Sequence, residues 1–128
     1  MQKKENKTTI SIDCMGGDLG EQEVLNGIIK AYHKNSSLFF IIHGSGNILP
    51  KLLRKQKKLL GAFKYIEAEN IVSMRDKPSQ ALRNGRNTSM WNALTSVSNG
   101  EADVAISCGN TGALMAMSMI KLKKINGI

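Results

Sequence analysis

An α/β fold, a mainly parallel sheet with helices on both faces in three layers, is what this sequence predicts. Three observations carry the prediction. Short β-branched or apolar runs alternate with segments of helical periodicity along nearly the whole chain. Residues 38–42 are apolar at every position, as a central parallel strand covered on both sides requires. Three glycine-containing loops, at 14–18, 43–47 and 107–112, each follow a predicted strand, and ligands in such folds bind beyond the C-terminal ends of strands.

Each element follows from its own pattern. Residues 8–13 alternate and are β-branched, which gives a first strand, and Met15-Gly16-Gly17-Asp18 turns the chain. Residues 21–33 set Val24, Leu25, Ile28, Ile29 and Tyr32 on one helical face, with Glu21 and Glu23 in the first turn where the helix dipole favours them. The strand at 38–42 ends in His43-Gly44-Ser45-Gly46-Asn47. The spacing then predicts one basic amphipathic helix over 48–60, with Pro50 tolerated in its first turn and the cations from Lys51 to Lys58 on a solvated face. A strand at 63–68, a loop at 69–78 and a short helix at 79–84 follow, and Gly85 breaks that helix. A helix over 88–98 turns Met90, Trp91, Leu94 and Val97 inward. A strand at 102–106 leads into a helix over 113–122, apolar almost all round, which implies burial on several sides. Lys121, Lys123 and Lys124 close it.

At 128 residues the chain is long enough for one domain with a real core from residue 8 onward but not for two ordinary domains, preceded by a polar, disordered tail at 1–7. No apolar run nears the roughly 20 residues that cross a bilayer. The lysine-rich start has no apolar core, so it is no secretory signal, and a cytoplasmic chain with Cys14 and Cys108 reduced is the expectation. A net charge of +8 favours anionic partners, while 5% aromatic content argues against base stacking and hence against nucleic acid. His33 and His43 have no cysteine or carboxylate at ligand spacing, so no metal is expected. Gly44-Ser45-Gly46 lacks the third glycine and acidic partner of a dinucleotide fingerprint, so no cofactor is expected.

The most informative stretch is Ser107-Cys108-Gly109-Asn110-Thr111-Gly112-Ala113-Leu114-Met115. A strand, a glycine turn and a helix start together make an anion site, because the first N–H groups of a helix lack partners and carry the positive end of its dipole. Gly109 and Gly112 admit a ligand close to the backbone, and Thr111 is a candidate cap for the helix. In the first loop Gly16 and Gly17 do the same, while Asp13 and Asp18 are placed to orient a hydroxyl, an amide or a cation; the plain alternative is a turn in which Asp18 caps the next helix. Arg83 and Arg86 flank Gly85, and arginine grips phosphate in a forked way; the alternative is a solvated basic loop. Ser89 offers a hydroxyl at a helix start.

Taken together, Asp13-x-Met15-Gly16-Gly17-Asp18, Met74-x-Asp76-x-Pro78-x-x-Ala81-x-Arg83, Ser89-Met90, Glu101-Ala102-Asp103 and Gly109-Asn110-Thr111-Gly112-Ala113-Leu114-Met115 resemble the PlsX family of phosphate acyltransferases. The resemblance runs from about Thr8 to Ile128. It implies a three-layer fold related to isopropylmalate dehydrogenases and phosphotransacetylases. It also implies transfer of a long-chain acyl group from acyl carrier protein to inorganic phosphate, giving acyl phosphate for phospholipid synthesis. A cytoplasmic homodimer working transiently at the membrane surface, without cofactor or metal, is implied as well. Phosphate is then the nucleophile. The Gly109–Gly112 amides and the Asn110 side chain, the expected catalytic group, would hold the oxyanion or phosphate. Arg83 and Arg86 would neutralise charge. The chain departs from the family's pattern at Cys14 and Cys108, where small residues are usual, and at Gly85 and Thr88, where a lysine and a serine are usual. It is also far shorter than family members, which implies an N-terminal portion, an exposed sheet edge and an incompletely covered last helix. Two competing readings are a truncated, non-catalytic anion-binding fragment and a relative of the coenzyme A-dependent phosphotransacetylases. A third is a basic module that binds acidic partners through Lys51–Lys58.

Overall fold

A computed structural model describes residues 7–123; residues 1–6 of the predicted tail, and Lys124 of the predicted closing cations, lie outside the described residues. Strands β1 (Thr8–Asp13), β2 (Leu38–Gly44), β3 (Phe63–Glu67) and β4 (Val104–Ser107) form one sheet in the order β3-β2-β1-β4, and every pair is parallel. Helices α1 (Gly20–Lys34), α2 (Ile48–Arg54), α3 (Pro78–Asn84), α4 (Ser89–Ser98) and α5 (Thr111–Lys121) complete the α/β alternation.

The two-residue alternation of the strands builds three layers. Ile12, Phe40 and Ile42 pack against Leu25 and Ile28 of α1 and Leu49 and Leu53 of α2. At about 1.5–3 kcal/mol for each fully buried Leu, Ile or Phe, this face is a main source of stability. On the other face Phe39 and Ile41 meet Val97 of α4, and Ser11 Oγ donates to Ala93 O of α4 at 2.9 Å. Beyond it Met90 and Leu94 of α4, Ala81 of α3, and Ala113 and Met117 of α5 form a further cluster.

The chain moves outward from β1 through β2 to β3, then returns to lay β4 on the far side of β1. The strand order therefore switches between β1 and β4, which is where open α/β sheets form a crevice. The loops at 14–18 and 107–112 leave these two strands side by side.

Two expectations are corrected. The predicted single helix over 48–60 is α2 followed by a separate 3-10 turn, Lys57–Leu59, with Gln56 in a non-helical conformation between them. Leu59 is fully buried in the same cluster as Leu49 and Leu53. On an unbroken helix Leu59 would stand about 240° around the axis from Leu53, so the break brings it back to the core. The second correction concerns α5, which is buried on one face only. Ala113 and Met117 are fully buried, whereas Met115 is 65% and Ile120 58% exposed. Val104 and Ile106 of the edge strand β4 are also exposed.

An unpaired edge and apolar side chains in water favour self-association. The chain is expected to sediment as more than a monomer at micromolar concentration. Met119→Lys with Ile120→Lys should shift it toward the monomer in analytical ultracentrifugation, since both residues are exposed and neither belongs to the core.

Candidate active site

Asp13 ends β1 and is buried. Its Oδ1 accepts from Ser89 Oγ at 2.6 Å and from the Met15 N–H at 3.1 Å, and its Oδ2 accepts from Ser107 Oγ at 2.8 Å. Ser107 Oγ in turn accepts from the Gly109 N–H at 3.1 Å. One carboxylate thus ties together the ends of β1 and β4, the start of α4 and both glycine loops. Burial pushes the Asp13 carboxyl above the ordinary 3.8, although the bonds from Ser89, Met15 and Ser107 pull the other way.

The glycines explain how the two loops approach. Gly16 has φ +81°, and a Cβ there would lie 2.6 Å from Val72 O; a Cβ on Gly17 would lie 3.1 Å from Cys108 O. Gly16→Ala combines a left-handed backbone with a clash against a backbone oxygen, so it is expected to destabilise the chain by about 2 kcal/mol in urea unfolding. A Cβ on Gly112 would press on Pro78 at the start of α3, at 3.0 Å.

Asn110, not Thr111, caps α5: its Oδ1 accepts from the Ala113 N–H at 3.1 Å. Asparagine is among the strongest N-cap residues, and Thr111 becomes the first helical residue. Asn110 Nδ2 donates to Ser73 O at 3.0 Å and Asp76 O at 2.7 Å. Both amide protons and the carbonyl are therefore committed within the protein, and the side chain holds the 73–76 loop against α5. The N–H groups of Thr111 and Gly112, exposed in the first turn, have no partner among the described residues.

The structure therefore brings Asp13, Gly16, Gly17, Ser89, Gly109, Asn110, Thr111 and Gly112 to one end of the sheet. Asp18 lies in the same loop but is exposed, and α1 has no side-chain cap, so Asp18 does not cap it. Arg83 and Arg86 are exposed and make no ion pair or hydrogen bond among the described residues. Arg83 stands in the last turn of α3 and Arg86 beyond it, whereas the opposite end of α3 touches Gly112. Gly85 between them is buried, and a Cβ there would meet Ala81 O at 2.6 Å and Met117 Cε at 2.9 Å. A lysine at this position would need the backbone at the end of α3 to shift.

A polar cleft of about 420 Å³, lined by Asn70, Val72, Asp76 and Thr88 among others, adjoins the 73–76 loop. A larger hollow of about 830 Å³ lies between the end of α1 and Leu59, apart from these loops. Sequence reasoning missed Ser73, Asp76 and Ser107 as partners of the marked residues. It also missed His43, which is buried with Nε2 3.2 Å from Ser96 Oγ. Ser96 Oγ donates to Asn92 O, which makes His43 Nε2 the donor of that contact and leaves Nδ1 without a partner. Burial, aided by Lys64, lowers the His43 pKa to about 4.

Residues 8–128 match the family model described as fatty acid synthesis protein. The chain is 49% identical over 127 residues to a phosphate acyltransferase of Ruegeria sp. (strain TM1040), covering 99% of this chain and 34% of that protein. It is 51% identical over 119 residues to that of Ruegeria pomeroyi, covering 93% and 32%. It is 46% identical over 127 residues to that of Roseobacter denitrificans, covering 99% and 36%. The chain thus spans about a third of the length of the curated relatives it matches. With its glycine loops paired across a parallel switch point and the match running from β1 to its last residue, the chain belongs to the fatty acid synthesis protein family, the PlsX family its motifs resemble.

Proposed function

We propose that this chain carries the phosphate-binding part of a phosphate acyltransferase, which moves a long-chain acyl group from acyl carrier protein to inorganic phosphate and releases acyl phosphate. The observation that supports the reading most is the pair of unpartnered N–H groups of Thr111 and Gly112, held beyond the β1–β4 switch by the Asp13 network and the Asn110 cap. Backbone donors and the helix dipole suit phosphate or a developing oxyanion, and a single well-placed oxyanion donor contributes about 2.7–4 kcal/mol to a barrier. Phosphate attacks the thioester carbonyl, the carrier thiolate leaves, and the protein needs only to position and stabilise, a contribution of about 7–11 kcal/mol at its largest.

In this reading Asn110 acts as a positioning residue: it keeps the α5 start and the 73–76 loop in register. Gly16, Gly17 and Gly109 let the loops close, while Asp13 orders Ser89 and Ser107. Arg83, Arg86 and Asp18 face solvent and act on approach of the anion, not in its seat. The exposed Lys51, Lys55, Lys57 and Lys58 give an acidic carrier a complementary face. The reading also takes the enzyme to be a homodimer at an anionic membrane surface, which its charge of +8 favours. No helix among the described residues is long and apolar enough to cross a membrane.

The test is thiol release from palmitoyl-acyl carrier protein on addition of phosphate, with acyl phosphate trapped by hydroxylamine. Release that requires phosphate is expected. Asn110→Ala should raise the phosphate KM and cut turnover by about tenfold or more, while losing the roughly 1 kcal/mol of an N-cap. Equal rates with acyl-coenzyme A would transfer the reading to the phosphotransacetylase relatives. No release from a chain shown folded by circular dichroism would reduce it to the anion-binding fragment.

A further inference from the structure

Cys14 and Cys108 take no part in the reading above. Both thiols are free, the first buried and the second exposed. The β1–β4 register runs through Ile12↔Ile106 and Asp13↔Ser107, and each cysteine is the next residue on its own chain segment. The pairing is tight up to that point. Ser107 Oγ donates to Asp13 at 2.8 Å, and the Cys14 N–H still pairs with His43 O of β2 at 3.0 Å. Cys14, just past β1, is buried in the cluster that holds Ile12, and Cys108, just past β4, is exposed.

Neighbouring strands lie about 4.8 Å apart. At the last paired residues, Asp13 and Ser107, that spacing falls inside the range of roughly 4.4–6.8 Å between Cα atoms that a disulfide spans, and each cysteine lies one residue further on. The 14–18 turn also folds back over its neighbour, so that a Cβ on Gly17 would be 3.4 Å from Cys108 Cβ. Burial pushes the Cys14 thiol up to about 12, and the charges of Asp13, Cys108 and Glu21 add to that in this order.

We propose that Cys14 and Cys108 are a redox pair whose disulfide pins the loop at 14–18 to the loop at 107–112. The exposed Cys108 thiolate attacks a small disulfide such as glutathione disulfide, expels one glutathione thiolate and becomes a mixed disulfide. The Cys14 thiol then gives up its proton to solvent, and its sulfur attacks Cys108 and expels the second glutathione. Two protein thiols are oxidised while one glutathione disulfide is reduced to two glutathiones. The second step is the slow one, because the Cys14 proton is held tightly, and it quickens as pH rises. The bridge crosses the switch between β1 and β4, so it restrains both glycine loops at once. It rests on strand register and is independent of the acyl-transfer reading.

The test treats the chain with glutathione disulfide, blocks remaining thiols with N-ethylmaleimide, and measures intact mass and unreduced tryptic peptides. The expected product has lost both thiols together, weighs two hydrogens less than the reduced chain, and yields one cross-linked peptide pair containing Cys14 and Cys108. Its formation rate should increase with pH, and dithiothreitol should reverse it. Cys14→Ser should stop at one glutathione on Cys108, while Cys108→Ser should keep Cys14 unmodified under native conditions. A wild-type chain that accumulates a lasting glutathione adduct on Cys108, or that links only to other chains, overturns the proposal. The peptide map of the wild type decides the matter even where a variant folds poorly.

Discussion

Asp13→Ala is expected to lower the stability of the chain by about 3 kcal/mol or more and, on the function proposed above, to abolish phosphate-dependent turnover. The carboxylate is the single acceptor shared by Ser89, Ser107 and the Met15 N–H. Removing it leaves the buried Ser89 hydroxyl and the part-buried Ser107 hydroxyl and Met15 N–H without their acceptor, and each buried donor without a partner costs about 1–3 kcal/mol. Hydroxyl rotation recovers part of this, which is why the lower end of the sum is expected. Asp13→Asn keeps the shape and one oxygen, so its cost should be nearer 1 kcal/mol. It also tests the charge. Because burial raises the folded carboxyl above 3.8, the folded state holds that proton more tightly than the unfolded state. The stability this provides is full below pH 3.8 and is lost as pH rises through the folded value. Asp13→Asn should remove that downward slope. Urea midpoints of the three proteins at several pH values between 4 and 7 measure both effects. An alanine variant within 1 kcal/mol of the parent would show that the network is dispensable.

Acidification from pH 7 toward 4 is expected to remove about 3 kcal/mol of stability through His43 alone. The ring is 1% exposed, and burial first, then the charge of Lys64, lowers its pKa from 6.5 to about 4, with Glu101 opposing. Here the sign is reversed. Above pH 6.5 the ring is neutral in both states and its contribution is fully present. As pH falls from 6.5 to 4 the unfolded chain takes up the proton while the folded chain refuses it, so stability drops. His43→Gln can still donate to Ser96 and does not titrate, so its urea midpoint should hold where the parent's falls. Equal acid sensitivity in the two proteins would remove His43 as the cause. The Asp13 effect runs the opposite way in this range, which makes the paired comparison at one pH the decisive one.

Much of the fold was legible in the sequence. β1 has the predicted bounds because alternation and β-branching over Thr8–Asp13 leave no competing period. The apolar run of β2 gave its central place, and the observed strand continues two residues further, through His43 and Gly44. The break after α2 was illegible because lysine and leucine are good helix formers; only the position of Leu59 relative to Leu49 and Leu53 decides it, and that is a tertiary fact. That the two glycine loops leave neighbouring strand ends was legible because glycine after an apolar or β-branched run marks a turn. Ser107 and Asp76 were missed because serine and aspartate in a loop look alike whether they face solvent or a buried partner. Asn110 was marked as a donor toward ligand, yet its carboxamide is spent on a cap and on the carbonyls of Ser73 and Asp76. No one-dimensional pattern reveals that a loop 34 residues earlier comes back to meet it.

The switch of strand order also sets a sequence of events in time. β1 and β2 pair at an offset of 30 residues, Thr8 with Leu38, whereas β1 and β4 pair at an offset of 94, Ile10 with Val104. Closing the longer loop costs about 1 kcal/mol more chain entropy on a flexible-chain estimate, and long-range pairings are the slow ones. The β1–α1–β2 unit can therefore form first and gain protection from hydrogen exchange early. The Asp13 carboxylate, already in place on β1, must wait for Ser89 and Ser107 to arrive. The meeting of the two glycine loops is then the last region of the chain to be built and the first to come apart, so its amides should exchange ahead of those in β2.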